Sequence, residues 1–459
     1  VRILALLPAY EDPEHLVAMA AAGHEVHAVT TTRQAAAPYV RGDVSVWPLG
    51  FWWQALQGAR PDVLVTYAGD LRGQRVAREI RGVPRLLLGQ GDADTGEFLE
   101  SCLQLMPARD RAAARTPVPV DPLAGEAVRV VAWVHYGVPY RRAGSEVMLQ
   151  TLMRALRDAG VGVLVVCSSM PEAPPSWEVD GVPYLHLGPY AAELLIGRIR
   201  PHVMVTHHYY APRATALARR VGARSVLLMH SDHAVTAQAL AASPDLIVYN
   251  TEWVRASLAA RYSEVDGTPG LIVHPPVLPG EHRAPAGGTA VTLVNLNRDK
   301  GVELWRDVAR ALSHLPFLGV AGAHGQQVRE SMPANVTLIG QTSRMRDEVW
   351  ARTRLLVAPS VYESYGMGAV EACASGIPVL AHPTPGLREA LGAAGTFIDR
   401  GDTRAWCEAV QRLYGDGPGR DAAAAAALAR SGYLSERTGR ELTVWADAVR
   451  VLAATLVPA

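Results

Sequence analysis

Short, uninterrupted apolar runs recur along this chain with helix-like stretches between them, and that alternation limits the fold more than any other feature. Strands buried on both faces of a parallel sheet read as continuous apolar runs. Crossover helices between such strands give a layered α/β architecture. The runs are Ile3–Leu7, Val63–Thr66, Val130–Val134, Val163–Cys167, Val203–Thr206, Val226–Met229, Leu246–Tyr249, Val291–Asn295 and Leu355–Ala358. Glu146–Ala159 and Trp305–Ser313 suit the helices between them. Asp421–Arg430, with six consecutive alanines, has high helix propensity.

Two stretches read as linkers: Pro107–Ala127, rich in Arg, Pro and Ala, and Pro279–Thr289, which holds Pro, Gly and Ala. They divide the chain into three Rossmann-like parts, 1–120, 121–285 and 286–459. The first two look like copies. Arg60-Pro61-Asp62-Val63-Leu64-Val65-Thr66 matches Arg200-Pro201-His202-Val203-Met204-Val205-Thr206, an offset of 140 residues. The same offset places Leu87-Leu88 on Leu227-Leu228 and Asp92 on Asp232. Val1-Arg2 also resembles Val128-Arg129, and Gly23 resembles Gly160. Shared strand and turn grammar explains part of this, but the ungapped agreement favours a diverged duplication.

A chain of 459 residues suits two or three domains. With 49% hydrophobic residues, 19% charged residues and a formal net charge of zero, it is neither disordered nor a basic coat for nucleic acid. Cys102, Cys167, Cys373 and Cys407 form no C-x-x-C pair, and four scattered cysteines suit a reducing cytoplasm. No apolar run approaches the roughly 20 residues of a membrane span. Val1–Leu7 meets Glu11, Asp12 and Glu14 at once and reads as a strand, not a secretory signal. Arg-rich helices such as Arg213–Arg220 leave peripheral membrane contact open. Among 44 basic residues only Lys300 is a lysine. A bias toward GC-rich codons explains the depletion but not where the survivor stands.

The richest segment for chemistry runs from Val357 to Val379: Val-Ala-Pro-Ser-Val-Tyr-Glu363-Ser-Tyr-Gly366-Met-Gly368-Ala-Val-Glu371-Ala-Cys-Ala-Ser-Gly376-Ile-Pro378-Val. It passes from a strand through a glycine-containing turn into a helix. Glycine lets backbone approach a ligand closely, and a helix start directs N–H groups and its positive dipole end at an anion. The turn therefore suits a diphosphate. Glu363 and Glu371, which would repel a phosphate, are better suited to hydroxyls of a sugar and a ribose.

This string resembles the E-x7-E signature of glycosyltransferase family 4, whose members are retaining enzymes of the GT-B fold. The resemblance covers about the second and third parts. It implies two Rossmann-like domains facing a cleft, here with an additional N-terminal Rossmann-like domain. It further implies that Glu371 holds the ribose, Glu363 contacts the donor sugar, and Ser364, Tyr365, Gly366 and Met367 meet the diphosphate or sugar. Ala143-Gly144-Ser145-Glu146 resembles the family's Gly-Gly loop, with Gly144 kept and Ala143 in place of the other glycine. Asn250-Thr251-Glu252-Trp253 resembles the end of the acceptor-side domain. Val336–Ser343 resembles the loop at the nucleotide base, which would lie near Gly340–Ser343. Asn295-Leu-Asn-Arg298-Asp-Lys300-Gly301 resembles G-R-x4-K-G, whose two cations grip the diphosphate. Lys300 and Gly301 keep the pattern, but Asn295 stands where the arginine belongs, and Arg298 is the candidate to replace its charge.

Histidines follow two strands: His207 and His208, then His230 and His233. Met229-His230-Ser231-Asp232-His233 resembles the family's loop facing the donor sugar, which makes His230 the active-site histidine. His207 and His208 suit the acceptor pocket. As two pairs on adjacent loops the four could hold zinc, but the sequence shows no evident carboxylate or thiol to complete such a site. Asp92-Ala93-Asp94 fits the metal-binding D-x-D of the other large glycosyltransferase fold. A metal there is redundant if Lys300 and a helix terminus neutralise the leaving group. The expectation is thus a metal-independent, hexosyltransferase-like enzyme without a cofactor. Its partners would be a small-molecule donor and acceptor, and its N-terminal domain would serve contact, homo-dimerisation or acceptor recognition. A sugar-nucleotide epimerase, a phosphorylase and a catalytically silent nucleotide-sugar-binding protein are the alternatives.

Overall fold

The computed structural model describes residues 121–456 apart from 142, 171, 323 and 324. Before them it describes residues 2–7, 16, 20, 25–30, 39–41, 44–48, 61, 63–67 and 85–88. Asp92, Asp94 and Cys102 lie outside the described residues, as does most of the Pro107–Ala127 stretch. The chain divides into two compact units, one of Val1–Pro122 with Leu187–Ile199 and one of Leu123–His186 with Arg200–Ala459.

The first unit holds a six-stranded sheet of β1 (Arg2–Leu7), β2 (Glu25–Thr30), β3 (Tyr39–Arg41), β4 (Val44–Pro48), β5 (Val63–Tyr67) and β6 (Arg85–Leu88). Its order is β3-β4-β2-β1-β5-β6, and only the β3–β4 pair is antiparallel. The central strand β1 buries Ile3, Leu4, Ala5 and Leu6 completely, as its apolar run requires.

The second unit contains two sheets. The larger is built from β7 (Arg129–Val134), β8 (Gly162–Cys167), β9 (Ser176–Val179), β10 (Val182–His186), β11 (Val203–His207), β12 (Arg224–Met229), β13 (Leu246–Tyr249) and β14 (Gly270–Ile272). Its order is β14-β13-β12-β11-β7-β8-β10-β9, and β9 runs antiparallel to β10. Read from the β9 edge, its first six strands repeat the order of the N-terminal sheet, edge hairpin included. The registers agree too: Ile3 faces Val63 as Val130 faces Val203, and Arg2 faces Glu25 as Arg129 faces Gly162. In the short hairpin β9 alternates exposed and half-buried residues and β10 is only partly buried, so it is missing from the apolar runs.

Helix α1 (Gly144–Asp158) lays Met148, Leu149, Leu152, Met153 and Leu156 on the core of this sheet. Helix α2 (Pro189–Ile199) falls within the first unit, and α3 (Ala211–Val221) ends on Gly222 in the left-handed region, φ 74°. Thr251 caps α4 (Glu252–Ala259) by accepting a hydrogen bond from Val254 N at 3.3 Å.

The remaining sheet is wholly parallel: β15 (Ala290–Val294), β16 (Phe317–Val320), β17 (Val336–Ile339), β18 (Thr353–Ala358), β19 (Val379–Ala381) and β20 (Gly395–Phe397), in the order β17-β16-β15-β18-β19-β20. The Val336–Ser343 segment, read from sequence as a loop, therefore begins as β17, and only Gly340–Ser343 follows it. Around the sheet run α5 (Val302–Ala311), α6 (Met367–Ala374), α7 (Pro385–Leu391), α8 (Thr403–Tyr414) and α9 (Pro418–Ala454). The 37 residues of α9 span about 55 Å at 1.5 Å per residue. Ala427 packs in the core of the parallel sheet, whereas Trp445, Ala446, Val449 and Ala453 pack in the core of the eight-stranded one. The helix thus ties the two sheets together, and Trp445 Nε1 donates to Leu152 O at 3.0 Å.

Candidate active site

Strands β15 and β18 are central neighbours, and the loops after them share one end of the parallel sheet. That is where open α/β sheets bind ligands. Lys300 sits on the first loop. Its Nζ lies 2.5 Å from Glu363 Oε1 on the second loop, and Ser360 Oγ donates to the same carboxylate oxygen at 2.9 Å. Asn297 Oδ1 accepts from the Lys300 amide at 2.8 Å and closes the turn. Gly301 follows at φ 80°, and a Cβ there would meet Pro359 Cγ at 2.6 Å. Glycine is required for both reasons. Three of the residues singled out from sequence, Lys300, Gly301 and Glu363, are thus held together by direct contact.

Helix α6 starts at Met367 directly after Gly366, which takes φ 103°. A Cβ on Gly366 would strike Leu387 Cδ2 at 2.6 Å. The helix start carries roughly half a positive charge. Glu371, one turn further, accepts from Trp350 Nε1 at 3.3 Å. Ser364 faces the other domain: its Oγ accepts from Asn250 Nδ2 at 3.1 Å, and its carbonyl accepts from Trp253 Nε1 at 2.9 Å. The Tyr365 side chain turns away into the core, where its hydroxyl accepts from Arg437 at 2.8 Å and burial pushes its pKa up to about 12. Only the backbone of Tyr365 is left to meet a ligand at this turn. Across the divide, a Cβ on Gly144 would lie 3.8 Å from Met367 Cγ, so the starts of α1 and α6 converge.

Asn295 and Arg298 are placed differently. Asn295 adopts φ 72°, and its Oδ1 accepts from Gln327 Nε2 at 2.8 Å. Gln327 Oε1 in turn accepts from the amides of Leu296 and Gly322 at 2.9 and 2.8 Å. Asparagine tolerates the left-handed region far better than arginine does, so here the position braces a turn. Arg298 is 74% exposed on its side chain and pairs with Glu303 at 2.8 Å. The structure does not bring Arg298 to Lys300.

On the eight-stranded sheet, His135, His207 and His230 stand at the C-terminal ends of the neighbouring strands β7, β11 and β12. His207 Nδ1 lies 2.9 Å from His230 Nε2, and the His208 ring stacks on His230 with centroids 5.4 Å apart. The His135 ring lies 5.1 Å from His207 and 5.5 Å from His208. Burial, reinforced by neighbouring imidazoles, holds His207 and His230 well below the ordinary histidine pKa, and burial lowers His208 to about 4. His233 leaves the group and packs on Tyr362, with ring centroids 4.2 Å apart. Asp232 Oδ1 accepts from the Tyr362 hydroxyl at 2.9 Å, a second tie between the domains.

Two residues of this cluster, His135 and Glu146, were given no site role in the sequence reading. His135 directly follows an apolar run, as His207 and His230 do, and that shared placement was the available signal. Glu146, buried in the first turn of α1, accepts from Ser145 Oγ at 2.9 Å. Only the fold brings it near the strand ends.

Residues 289–416 match the family model for glycosyl transferases group 1. The D-inositol 3-phosphate glycosyltransferase of Nocardioides is 27% identical over 300 residues, covering 52% of this chain and 65% of the relative, just under two thirds of its length. The corresponding Catenulispora acidiphila enzyme is 29% identical over 344 residues, covering 62% of this chain and 81% of the relative. Among solved structures, sucrose-phosphate synthase of Thermosynechococcus elongatus superposes with a TM-score of 0.57 at 17% identity. The superposition covers 72% of this chain and 99% of that one. Anabaena HepE in complex with UDP-glucose also reaches 0.57, at 14% identity, covering 71% and 99%.

The chain has the GT-B fold. In GT-B terms the eight-stranded sheet is the N-terminal domain and the parallel sheet the C-terminal one, with the Lys300 and Gly366 loops between them. The group 1 match falls on the C-terminal domain.

Proposed function

We propose that this chain is a retaining glycosyltransferase that moves a sugar from a nucleotide diphosphate sugar to a hydroxylated acceptor. The observation that carries the reading is the Lys300–Glu363 contact at 2.5 Å beside the start of α6, inside the segment that matches group 1 glycosyl transferases. In this reading the C-terminal domain holds the donor. The base lies beyond β17 near Gly340–Ser343, the ribose is bound by Glu371, and the donor sugar meets Glu363.

Negative charge grows on the departing diphosphate as the glycosidic bond breaks. The Lys300 ammonium and the N-terminal end of α6 are preorganised donors of positive potential, which is the largest kind of catalytic contribution. The diphosphate then needs no metal. In the ground state Glu363, itself held by the Ser360 hydroxyl, fixes the ammonium; on donor binding the phosphate oxygens compete for it, and the freed carboxylate meets sugar hydroxyls. His230 faces the donor from the N-terminal domain, with His208 on the acceptor side and the fully buried His207 packed beside it. The acceptor attacks from the face the diphosphate leaves, and the leaving oxygen takes its proton. The names of the relatives support an inositol phosphate as the first acceptor to assay, ahead of other sugars, lipid carriers or small natural products.

Two measurements test this. A thermal-shift screen of UDP, GDP, ADP and TDP sugars should give one base that stabilises the fold by mass action. Donor turnover should fall at least about a hundredfold in Lys300→Ala, in line with the loss of one preorganised electrostatic contact, and should also fall in Glu371→Ala, where the ribose contact is lost. Near-normal turnover in both variants would overturn the reading.

A further inference from the structure

Ligand atoms of His207, His208 and His230 lie within 4.8 Å of one another, and so do those of His135, Glu146 and His207. We propose that His207, His208 and His230 bind one divalent transition-metal ion of the zinc class, with Glu146 and His135 forming an outer layer around His207.

The donor set decides the class of ion. Imidazole nitrogens suit zinc, cobalt, nickel and copper, whereas magnesium and calcium take oxygen ligands. Three histidines with a fourth position open are the ligand set of exchangeable zinc sites. Nitrogens around a tetrahedral ion at about 2.0 Å stand roughly 3.4 Å apart. His207 Nδ1 and His230 Nε2 stand 2.9 Å apart, close to that spacing.

The surroundings complete the pattern. Histidine ligands of metals usually donate their second N–H to a carboxylate or carbonyl. His207 is fully buried, and among the described residues its Nε2 has no hydrogen-bond partner. A buried polar atom without a partner is rare and calls for a physical reason. Glu146 is the carboxylate within reach of His207, and it is buried too. His208 is only half-buried, so an ion can enter on its side.

The N-terminal sheet offers an internal contrast. At the positions that match His135, His207, His208 and His230 by the repeat, its sequence has Pro8, Tyr67, Ala68 and Gln90. The same strand order is thus built there without these histidines. The proposal goes beyond the transfer reading, because the ion belongs to the N-terminal GT-B domain and Lys300 already serves the diphosphate.

Cobalt is the probe. The full chain, freed of any histidine tag and of metal by chelation, is titrated with Co²⁺ in the absence of donor and acceptor. The expected result is visible d–d absorption that saturates at one equivalent and is bleached by Zn²⁺. His208→Ala, at the half-buried position, should weaken binding at least tenfold, and Glu146→Gln should weaken it about 10- to 100-fold without abolishing it. His230→Gln is the second ligand variant, and thermal melts establish that each variant folds. No absorption in the wild-type chain would overturn the proposal, as would full-strength binding in both folded histidine variants. Since no sugar nucleotide is present, that failure would leave the transfer reading untouched.

Discussion

At the scale of single residues, Lys300 is the informative position. Its ammonium is a compact charge held by one oxygen of Glu363, and a planar guanidinium cannot reproduce that geometry. Lys300→Arg should therefore cost at least tenfold in donor turnover. Its stability, read by thermal melting, should stay within about 0.5 kcal/mol of wild type, as for other surface-loop changes. Gly301→Ala should act differently. It forces an alanine into φ 80° with its Cβ 2.6 Å from Pro359 Cγ, and it should lose about 1–3 kcal/mol in chemical denaturation. Lys300, Gly301, Glu363 and Gly366 could be singled out from the sequence because each sits in a contiguous string, and the structure sets Lys300 against Glu363. The sequence marked Asn295 as a departure from the arginine position but could not show what the side chain does, because its partner Gln327 comes from a distant turn. It passed over Glu146 because nothing near it in sequence hints at a cluster made by three strands and a helix.

At the scale of elements, the contacts between α4, α7 and α9 set a pH dependence. His274 Nε2 meets Glu389 Oε1 and His274 Nδ1 meets Glu441 Oε1, each at 2.7 Å. Glu389 also accepts from the amides of Glu252 and Trp253 at 2.8 and 3.1 Å. Burial alone would lower the His274 pKa. The hydrogen bonds to Glu389 and Glu441 outweigh burial and the opposing Arg437, and the pKa is raised. A histidine with a raised folded pKa contributes stability that is complete below its unfolded value near 6.5 and is lost as pH rises through the folded value. Denaturation profiles should show that alkaline loss in the wild-type chain. In His274→Gln it should be flatter, with lower stability at pH 6. An unchanged profile would remove His274 from the account. On α9, Trp445→Ala removes a fully buried ring from the core of the eight-stranded sheet and should cost about 3–5 kcal/mol in chemical denaturation. The sequence announced the alanine-rich start of α9 through propensity. It could not announce which sheet the other end packs on, because that depends on a return path about 55 Å long.

At the scale of the whole molecule, the α/β class and most strands were legible, since a doubly covered parallel sheet writes its strands as apolar runs. Short edge strands such as β3 and β9 have no such signature, and their place had to come from pairing. The repeat noticed in the sequence has a counterpart in strand order and register, which favours a duplication as the origin of the two sheets. The chain passes between the GT-B domains twice, once after β14 and once along α9. The two passages run side by side, where Val277 N donates to Thr438 Oγ1 at 3.1 Å and His274 N to Glu441 Oε2 at 2.8 Å. The seam is not the whole join: Asn250–Ser364 and Asp232–Tyr362 rivet the same two bodies at their loop ends. Any swing about the seam that parts those loops must first break these bonds.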